Sequence, residues 1–299
     1  MTAELIDGRK IAHRLKETVA SELALLPDRA GLAVVRVGDD YASLLYQRRL
    51  ARVAAELGVR FQAVELPGTA SGAELVDTVA ELNAAPSTSG ILLLRPLPAG
   101  IEEAAVFAAI APVKDIEAVH PENAGLLSLG TPRYVPSTAA SVFHILDAWL
   151  DESGQHRPEF YRRSRIVVVG RSNNVGKPAV SLAYGRQAAV TSIDEWSCRH
   201  RQLGSYTRRA EVLVVATGVP GLIRAEHVRP GAVVLDVGIN PVRDPETGQT
   251  RIVGDVDFEQ VRGRARAITP VPGGVGPVTD VWLLRNTAEA ARLQSGDAT

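Results

Sequence analysis

The heptapeptide YQRRLAR, residues 46 to 52, places a tyrosine and three arginines on one short segment. In a helix, Arg49 and Leu50 would share a face with Tyr46, because residues three and four positions apart are neighbours on a helical surface. A tyrosine in an active site can stack on a planar ring and hydrogen-bond through its hydroxyl. Neither neighbour is able to act as a general base beside it, since leucine does not ionise and arginine stays protonated.

The stretch VVVGRSNNVGKP, residues 167 to 178, follows an apolar strand pattern and opens a helix pattern. Glycines in this setting let the backbone approach a pyrophosphate, and the positive end of the helix attracts the anion. Asp194 stands 24 residues after Gly170, where a carboxylate typically binds the ribose 2′-OH of NAD and repels the 2′-phosphate of NADP. Arg171 and Ser172 could still serve a phosphate.

Two further loops, ATGVPG at 216 to 221 and DVGIN at 236 to 240, follow apolar strand patterns and would lie where a doubly wound sheet places its ligand. Together these segments predict a dinucleotide site for NAD or NADP, with NAD favoured. The candidate cofactor-binding residues are Gly170, Arg171, Ser172, Gly176, Asp194, Thr217, Gly218, Gly238 and Ile239.

Alternating helix and strand patterns must position these residues. In the first half they predict a helix over 42–57, a strand over 59–66, a helix over 73–83 and an apolar strand run within 90–98. In the second half the strand patterns are 165–170, 188–194, 210–218 and 232–238, with a helix from about 177. The polar stretch 150–164 contains helix-breaking residues and is interpreted as a domain boundary. This alternation predicts a two-domain α/β protein with parallel sheets.

Composition limits the classes of protein and partner. With 299 residues, 45% hydrophobic and 22% charged, the chain fits a globular protein with a full core. A net charge of -1 argues against a nucleic-acid partner or an anionic membrane. Cys198 is the single cysteine, so an intrachain disulfide or a cysteine-based zinc site is excluded, and we expect an inert residue and no metal. Neither a leader pattern nor a membrane-length apolar run is present, which favours the cytoplasm.

Several motifs are similar to those of a known family. In order and spacing, VGRSNNVGKP, LDVGIN, VGDVDF and ITPVPGGVGPVT resemble the methylenetetrahydrofolate dehydrogenase/cyclohydrolase family, FolD; in the first half VGDDYASLLY, GILLLRPLP and PVKDIEAV agree with it. The resemblance implies a Rossmann-like NAD(P)-binding domain over 145–277. It also implies an α/β catalytic, folate-binding domain over 1–144, completed by the C-terminal helix within 278–299, and a homodimer.

The same resemblance implies a tetrahydrofolate derivative as substrate. Tyr46 would then be the candidate catalytic residue, stacking on the pterin ring, and Glu117 would recognise the pterin. The substrate-binding loop would contain Pro272, Gly273 and Gly274. Lys114 and Asp115 match the family's lysine–aspartate pair, for which we expect a structural ion pair, and His120 is expected to be structural.

The departures from the family pattern are concentrated where its chemistry takes place. Leu50 stands where the family has its catalytic lysine, and Leu94 replaces the glutamine that hydrogen-bonds that lysine. Glu117 replaces an aspartate that grips the pterin, and Ala118 replaces the glycine after it. The family's PCTP motif is here PSTA, at residues 136 to 139. Nearly all of the cofactor motif, by contrast, is present.

These changes affect the family's two reactions unequally. Hydride transfer from 5,10-methylenetetrahydrofolate to a nicotinamide needs mainly alignment of the two reactants. Hydrolysis of the methenyl product needs general acid–base catalysis, and losing such a group typically costs about 10²- to 10⁴-fold. We therefore predict an NAD(P)-dependent methylenetetrahydrofolate dehydrogenase whose cyclohydrolase activity is weak or lost.

Three alternatives remain open from the sequence. One is the full bifunctional enzyme, which makes 10-formyltetrahydrofolate with an unrecognised replacement base. A second is a dehydrogenase for a modified pterin or a non-folate substrate, which the changes at Glu117 and Ala118 would permit. The third is a catalytically silent protein that binds nucleotide or folate.

Overall fold

The computed structural model describes residues 2–200, 202–243 and 248–296. The side chain of Cys198 lies outside the described part, and with it the prediction that this cysteine is inert. The chain divides into two compact units. The six-stranded unit contains the residues up to His13 and Thr138–Thr279. The three-stranded unit contains Arg14–Ser137 and the residues from Asp280 onward. Each unit is named after its parallel sheet.

The sheet of the three-stranded unit has the order β3-β2-β4, and both strand pairs are parallel. Its strands are β2 (Gly31–Val37), β3 (Arg60–Leu66) and β4 (Gly90–Leu93). Every residue of β2 is buried, as expected for the central strand of a parallel sheet covered on both faces. The helices wholly or mainly in this unit are α1 (Gly8–Ala24), α2 (Tyr41–Glu56), α3 (Gly72–Ala84), α4 (Glu103–Ala109), α5 (Pro121–Ser128) and α12 (Val275–Gln294).

The six-stranded sheet has the order β1-β11-β8-β7-β5-β6 and is parallel throughout. Its strands are β1 (Glu4–Leu5), β5 (Arg165–Val169), β6 (Ala189–Ile193), β7 (Val212–Val215), β8 (Val233–Asp236) and β11 (Ala267–Ile268). Its helices are α6 (Ser137–Glu152), α7 (Arg157–Arg163), α8 (Gly176–Gly185), α9 (Glu195–Arg199), α10 (Leu203–Thr207), the 3-10 helix Ala225–His227 and α11 (Phe258–Arg262). An antiparallel hairpin joins β9 (Asn240–Arg243) to β10 (Thr250–Val253).

The predicted fold class, a two-domain α/β protein with a Rossmann-like parallel sheet, is confirmed. The stretch 150–164, interpreted as a domain boundary, lies instead inside the six-stranded unit. Two aromatic residues in α7 explain this placement: the Phe160 ring lies 6.5 Å from the Trp149 ring, and the Tyr161 ring lies 6.3 Å from that of Phe143. These buried rings hold the polar segment against the core.

The predicted domains were 1–144 with 278–299, and 145–277. The structural division differs from them at both ends of the range 1–144. The first residues belong to the six-stranded unit because β1 pairs in parallel with β11, at the edge of that sheet. The division in the middle of the chain falls between Ser137 and Thr138, at the start of α6. Among the described residues, no helix has both the length and the apolar character needed to cross a membrane.

Candidate active site

The turn between β5 and α8 brings backbone atoms very close together at two glycines. Gly170 has a φ of +114°, which favours glycine, and a Cβ there would lie 2.0 Å from the carbonyl oxygen of Ala216. A Cβ on Gly176 would lie 2.1 Å from the carbonyl oxygen of Gly170. Ser172 Oγ accepts hydrogen bonds from the N–H groups of Val175 (3.2 Å) and Gly176 (3.4 Å), which shapes the start of α8.

Arg171 and Asp194 meet at the ends of β5 and β6. Arg171 Nη1 lies 2.8 Å from Asp194 Oδ2, and Arg171 Nη2 donates to the carbonyl oxygen of Ser192 at 2.8 Å. Asp194 Oδ1 accepts the N–H of Trp196 at 3.1 Å. The carboxylate is therefore fixed at the strand end by a guanidinium that is itself half exposed.

Two buried aspartates, which the sequence reasoning did not select, hold the other predicted cofactor loops. Asp255 accepts the N–H of Gly218 at 3.0 Å and the hydroxyl of Thr217 at 2.9 Å. Asp236 Oδ1 accepts the N–H groups of Gly238 at 2.9 Å and of Asp255 at 3.0 Å. Both aspartates belong to the quoted motifs LDVGIN and VGDVDF, and Asp236 could have been noticed as an acidic residue that ends an apolar strand.

The position of the Asp255 carboxylate explains why residue 238 is a glycine. A Cβ on Gly238 would lie 2.1 Å from Asp255 Oδ1. Burial raises the pKa of Asp236 to about 7, against three backbone N–H groups that lower it. Ile239, which follows Gly238, is a large side chain left 56% exposed and so is available for contact.

The six-stranded unit therefore has the features that a dinucleotide requires. The glycines leave open backbone at the strand ends, α8 starts directly after this turn, and Asp194 offers a carboxylate for ribose hydroxyls. The predicted substrate loop, Pro272 to Gly274, forms the turn between β11 and α12 in this unit. When bound, a nicotinamide cofactor would supply the hydride acceptor here.

Tyr46 lies on α2 in the three-stranded unit and is half-buried. The Arg49 guanidinium carbon stands 5.0 Å from the centre of the tyrosine ring. Burial and the negative charges of Asp280 and Glu117 raise the pKa of Tyr46 well above its ordinary value. The hydroxyl is consequently neutral near pH 7, so it can donate a hydrogen bond but cannot serve as a base.

Glu117 is the second predicted substrate-binding residue of this unit. Its Oε1 accepts the backbone N–H of Ser137 at 3.1 Å, at the first residue of α6. Burial raises the pKa of Glu117 to about 7, although the Ser137 hydrogen bonds lower it. Glu117 thus contributes to the raised pKa of Tyr46, and both predicted residues belong to the three-stranded unit.

The positions of the missing lysine and glutamine are apolar and closed to solvent. Leu50 is 0% exposed and Leu94 is 5% exposed. The Arg95 carbonyl oxygen, next along the chain from Leu94, lies 2.8 Å from Ser43 Oγ, which also lies 2.8 Å from Asp40 Oδ1. The Arg95 side chain is engaged elsewhere, with its Nε 3.1 Å from Glu103 Oε2.

The loop that carries Glu117 is anchored by its neighbours. The expected Lys114–Asp115 ion pair is wrong: Lys114 Nζ donates to the carbonyl oxygens of Leu82, Asn83 and Ala85 at the end of α3. Buried Asp115 instead accepts the N–H groups of Val119 at 3.1 Å and His120 at 2.9 Å, together with the Asn123 side chain.

Two further features of this loop bear on the sequence predictions. His120 Nδ1 accepts the N–H of Glu122 at 3.0 Å, so the histidine caps α5, a structural role. Ala118 has a φ of +50°, in the left-handed region, which explains why glycine suits this position better. Among residues in the described ranges, no group of three His, Cys, Asp or Glu side chains is placed to hold a metal ion.

Comparison with family models matches both parts of the chain. Residues 6–117 match the catalytic domain of tetrahydrofolate dehydrogenase/cyclohydrolase, and residues 136–295 match the NAD(P)-binding domain of the same family. The chain is 57% identical over 296 residues to the bifunctional protein FolD 3 of Rubrobacter xylanophilus, covering 98% of this chain and 93% of that protein. It is 44% identical over 291 residues to bifunctional protein FolD of Acidiphilium cryptum, covering 97% and 99%.

Solved structures show the same similarity over the whole chain. The Trypanosoma brucei N5,N10-methylenetetrahydrofolate dehydrogenase-cyclohydrolase, crystallised with NADP and an inhibitor, is 36% identical with a TM-score of 0.89, and all of both chains is covered. The bifunctional FolD enzyme of Campylobacter jejuni is 34% identical with a TM-score of 0.88, covering 98% of this chain and 99% of that one.

Proposed function

Because the chain belongs to the tetrahydrofolate dehydrogenase/cyclohydrolase family, we propose that it oxidises 5,10-methylenetetrahydrofolate to 5,10-methenyltetrahydrofolate with NAD, and that its cyclohydrolase activity is weak or lost. The first part rests on the family and on a six-stranded unit whose glycines and Asp194 suit a dinucleotide. The second part rests on the buried leucines at positions 50 and 94.

The observation that carries the proposal is the burial of Leu50 and Leu94. The resemblance puts a lysine and its glutamine partner at these positions, and here both side chains are apolar and at most 5% exposed. Replacing both members of a polar pair leaves neither group buried without a partner, so the fold tolerates the change. Hydride transfer survives this replacement, because it depends on alignment rather than on proton transfer.

Tyr46 and Glu117 would then act on the substrate by binding and orientation. Tyr46 would stack on the pterin ring, with its neutral hydroxyl free to donate a hydrogen bond. The Glu117 carboxylate would accept hydrogen bonds from pterin N–H groups. As a hydride leaves the methylene carbon, the lone pair of an adjacent substrate nitrogen forms the new C=N bond, so no protein base is required.

The test is to follow NADH and NADPH formation from 5,10-methylenetetrahydrofolate, and then the decay of the methenyl absorbance against an enzyme-free blank. We expect NAD reduction, with methenyl decay no faster than the blank. Faster decay would refute the loss of cyclohydrolase activity. Absence of reduction with either cofactor would refute the dehydrogenase assignment and support the modified-substrate or silent-binder alternatives.

A second candidate function is the full bifunctional enzyme, which one observation favours. Glu117 has a pKa raised to about 7, and a carboxyl group of that pKa near Tyr46 could exchange protons at neutral pH. Its hydrogen bond from Ser137 and its proposed contact with the pterin favour a binding role instead. Methenyl hydrolysis that disappears in Glu117→Gln, while NAD binding persists, would support this candidate.

Preference for NAD is proposed from Asp194, whose carboxylate would repel a 2′-phosphate. Changing Asp194 to serine should remove that repulsion and release Arg171 to pair with the phosphate. We expect the ratio of kcat/KM for NAD over NADP to fall by about tenfold, the size of one charge-assisted hydrogen bond. The control is Glu195→Gln, an exposed neighbour paired with Arg199; equal ratios in wild type and Asp194→Ser would contradict the proposal.

Two other expectations remain predictions. The resemblance implies a homodimer, and the cytoplasmic location stays an expectation. The identity of the folate, ordinary or modified, is likewise part of the proposal. Glu117 and Ala118 are the residues that bear on it, because one changes the reach of the pterin-binding group and the other constrains the loop that carries it.

A further inference from the structure

Asp280 is a charged residue buried in the three-stranded unit. It follows directly after the ITPVPGGVGPVT motif on α12, and its side chain is only 5% exposed. Burial raises its pKa, while Arg49 lowers it. A carboxylate in such a site is unfavourable unless a partner compensates for the lost water.

Arg49 supplies that partner through a bidentate contact. Its Nε lies 2.7 Å from Asp280 Oδ2, and its Nη2 donates to Asp280 Oδ1 at 3.1 Å. Two parallel hydrogen bonds fix the plane of the guanidinium as well as its position. The pair joins α2 to α12 within one unit.

The fixed guanidinium also covers Tyr46. Its central carbon stands 5.0 Å from the ring centre, within the distance at which a cation is attracted to an aromatic face. Asp280 thus holds Arg49, and Arg49 holds one side of the tyrosine ring. One turn further along α2, Arg52 is exposed, so it provides a matched arginine outside this arrangement.

We infer that Arg49 and Asp280 form a positioning pair that fixes the Tyr46 ring for stacking on the substrate. The pair places a guanidinium, which is not a general base, beside the Tyr46 ring. It would therefore align the ring without restoring the acid–base chemistry of a lysine. This inference rests on the proposed function, since it requires a pterin-like ring for Tyr46 to meet.

The test compares Arg49→Gln, Arg49→Lys, Asp280→Asn and the double variant Arg49→Gln/Asp280→Asn, with Arg52→Gln as the control. We expect Arg49→Gln to raise the KM for 5,10-methylenetetrahydrofolate about tenfold, with kcat changed much less and the KM for NAD unchanged. Arg49→Lys should restore the folate KM only in part, because an ammonium group cannot make the bidentate contact with Asp280. Arg52→Gln should behave as wild type.

The double variant tests whether the two residues act together. If Asp280 works only through Arg49, the double variant should be no worse than either single variant. Additive effects, an unchanged folate KM in Arg49→Gln, or equal changes in the KM of folate and NAD would overturn the inference. Should Asp280→Asn fail to fold, Arg49→Gln and Arg49→Lys still decide it, because the Arg49 side chain is 47% exposed.

Failure of the proposed function would be recognised separately. If the wild type reduces neither cofactor, binding of tetrahydrofolate is measured by calorimetry in the same variants. Weaker binding in Arg49→Gln than in wild type and Arg52→Gln would support the positioning pair even without turnover. Equal binding in all three, or none in the wild type, would overturn it.

Discussion

Changing Glu117 to glutamine is expected to lower kcat/KM for 5,10-methylenetetrahydrofolate by about 100-fold. The amide has nearly the same shape, but it loses the negative charge and presents N–H groups where the pterin also presents them. Two charge-assisted hydrogen bonds at about 1.5 kcal/mol each account for this loss. The KM for NAD should not change, because the residues predicted to bind the cofactor belong to the other unit. Steady-state kinetics with each substrate varied in turn measures both.

The same residue predicts the pH dependence of the wild type. Pterin recognition requires the ionised carboxylate, and burial raises the pKa of Glu117 to about 7. Below that pH the free enzyme is increasingly protonated, so kcat/KM should fall about tenfold per pH unit. In Glu117→Gln this decline should be absent. Glu122→Gln, an exposed acid paired with Arg133, should retain the wild-type profile.

The pH dependence of stability has the opposite sign to that of kcat/KM. A carboxyl whose pKa is raised on folding binds more protons in the folded state, so its contribution falls as pH rises from about 4.5 to about 7. Activity should therefore increase over the pH range in which this contribution to stability decreases. A wild-type profile of kcat/KM that is flat from pH 6 to 8 would contradict the assignment of Glu117 to pterin recognition.

Restoring the family pair, with Leu50→Lys and Leu94→Gln together, should increase methenyl hydrolysis by about 100-fold or more over the wild type. The expectation follows from the usual contribution of one general acid–base group. A lysine alone at a position that is 0% exposed would lack a hydrogen-bond partner, so Leu50→Lys alone should gain less and lose more stability. Decay of methenyl absorbance and thermal unfolding measure the two effects.

The matched control is Leu50→Met, which has a similar length and no amine. It should leave methenyl hydrolysis at the wild-type rate. The prediction fails if the double variant folds and reduces NAD at the wild-type rate, yet hydrolyses the methenyl group no faster than Leu50→Met. The surrounding pocket would then lack something besides the lysine and the glutamine.

Much of the fold could be predicted from the sequence because apolar periodicity reports burial directly. The helix predicted over 42–57 is α2, Tyr41–Glu56, and the strand pattern of 165–170 contains β5, Arg165–Val169. The prediction of a domain boundary at 150–164 was wrong. Most residues of this stretch are polar, but the buried rings of Phe160 and Tyr161 pack it against the core of the six-stranded unit. Periodicity counts residue types, whereas packing depends on the few large rings.

The site was only partly predictable, for a different reason. Tyr46, Glu117 and Asp194 could be selected from motifs and spacing, but the contacts that hold the surrounding loops and helices could not. Asp280 is 231 residues from Arg49 along the chain, and Lys114 reaches carbonyl groups at the end of α3 rather than its neighbour Asp115. Such contacts depend on the three-dimensional arrangement, and sequence spacing carries no information about them.

The three-stranded unit is formed from two separate stretches of the chain. Asn286 donates to the carbonyl oxygens of Ile116 at 2.7 Å and Val135 at 2.8 Å, and Arg285 pairs with Glu22 at 2.7 Å. A fragment ending near residue 137 would lose all of these bonds together with Asp280. The three-stranded unit is therefore not one continuous stretch of the chain, so a chimaera that transfers only residues 14–137 would not reproduce it.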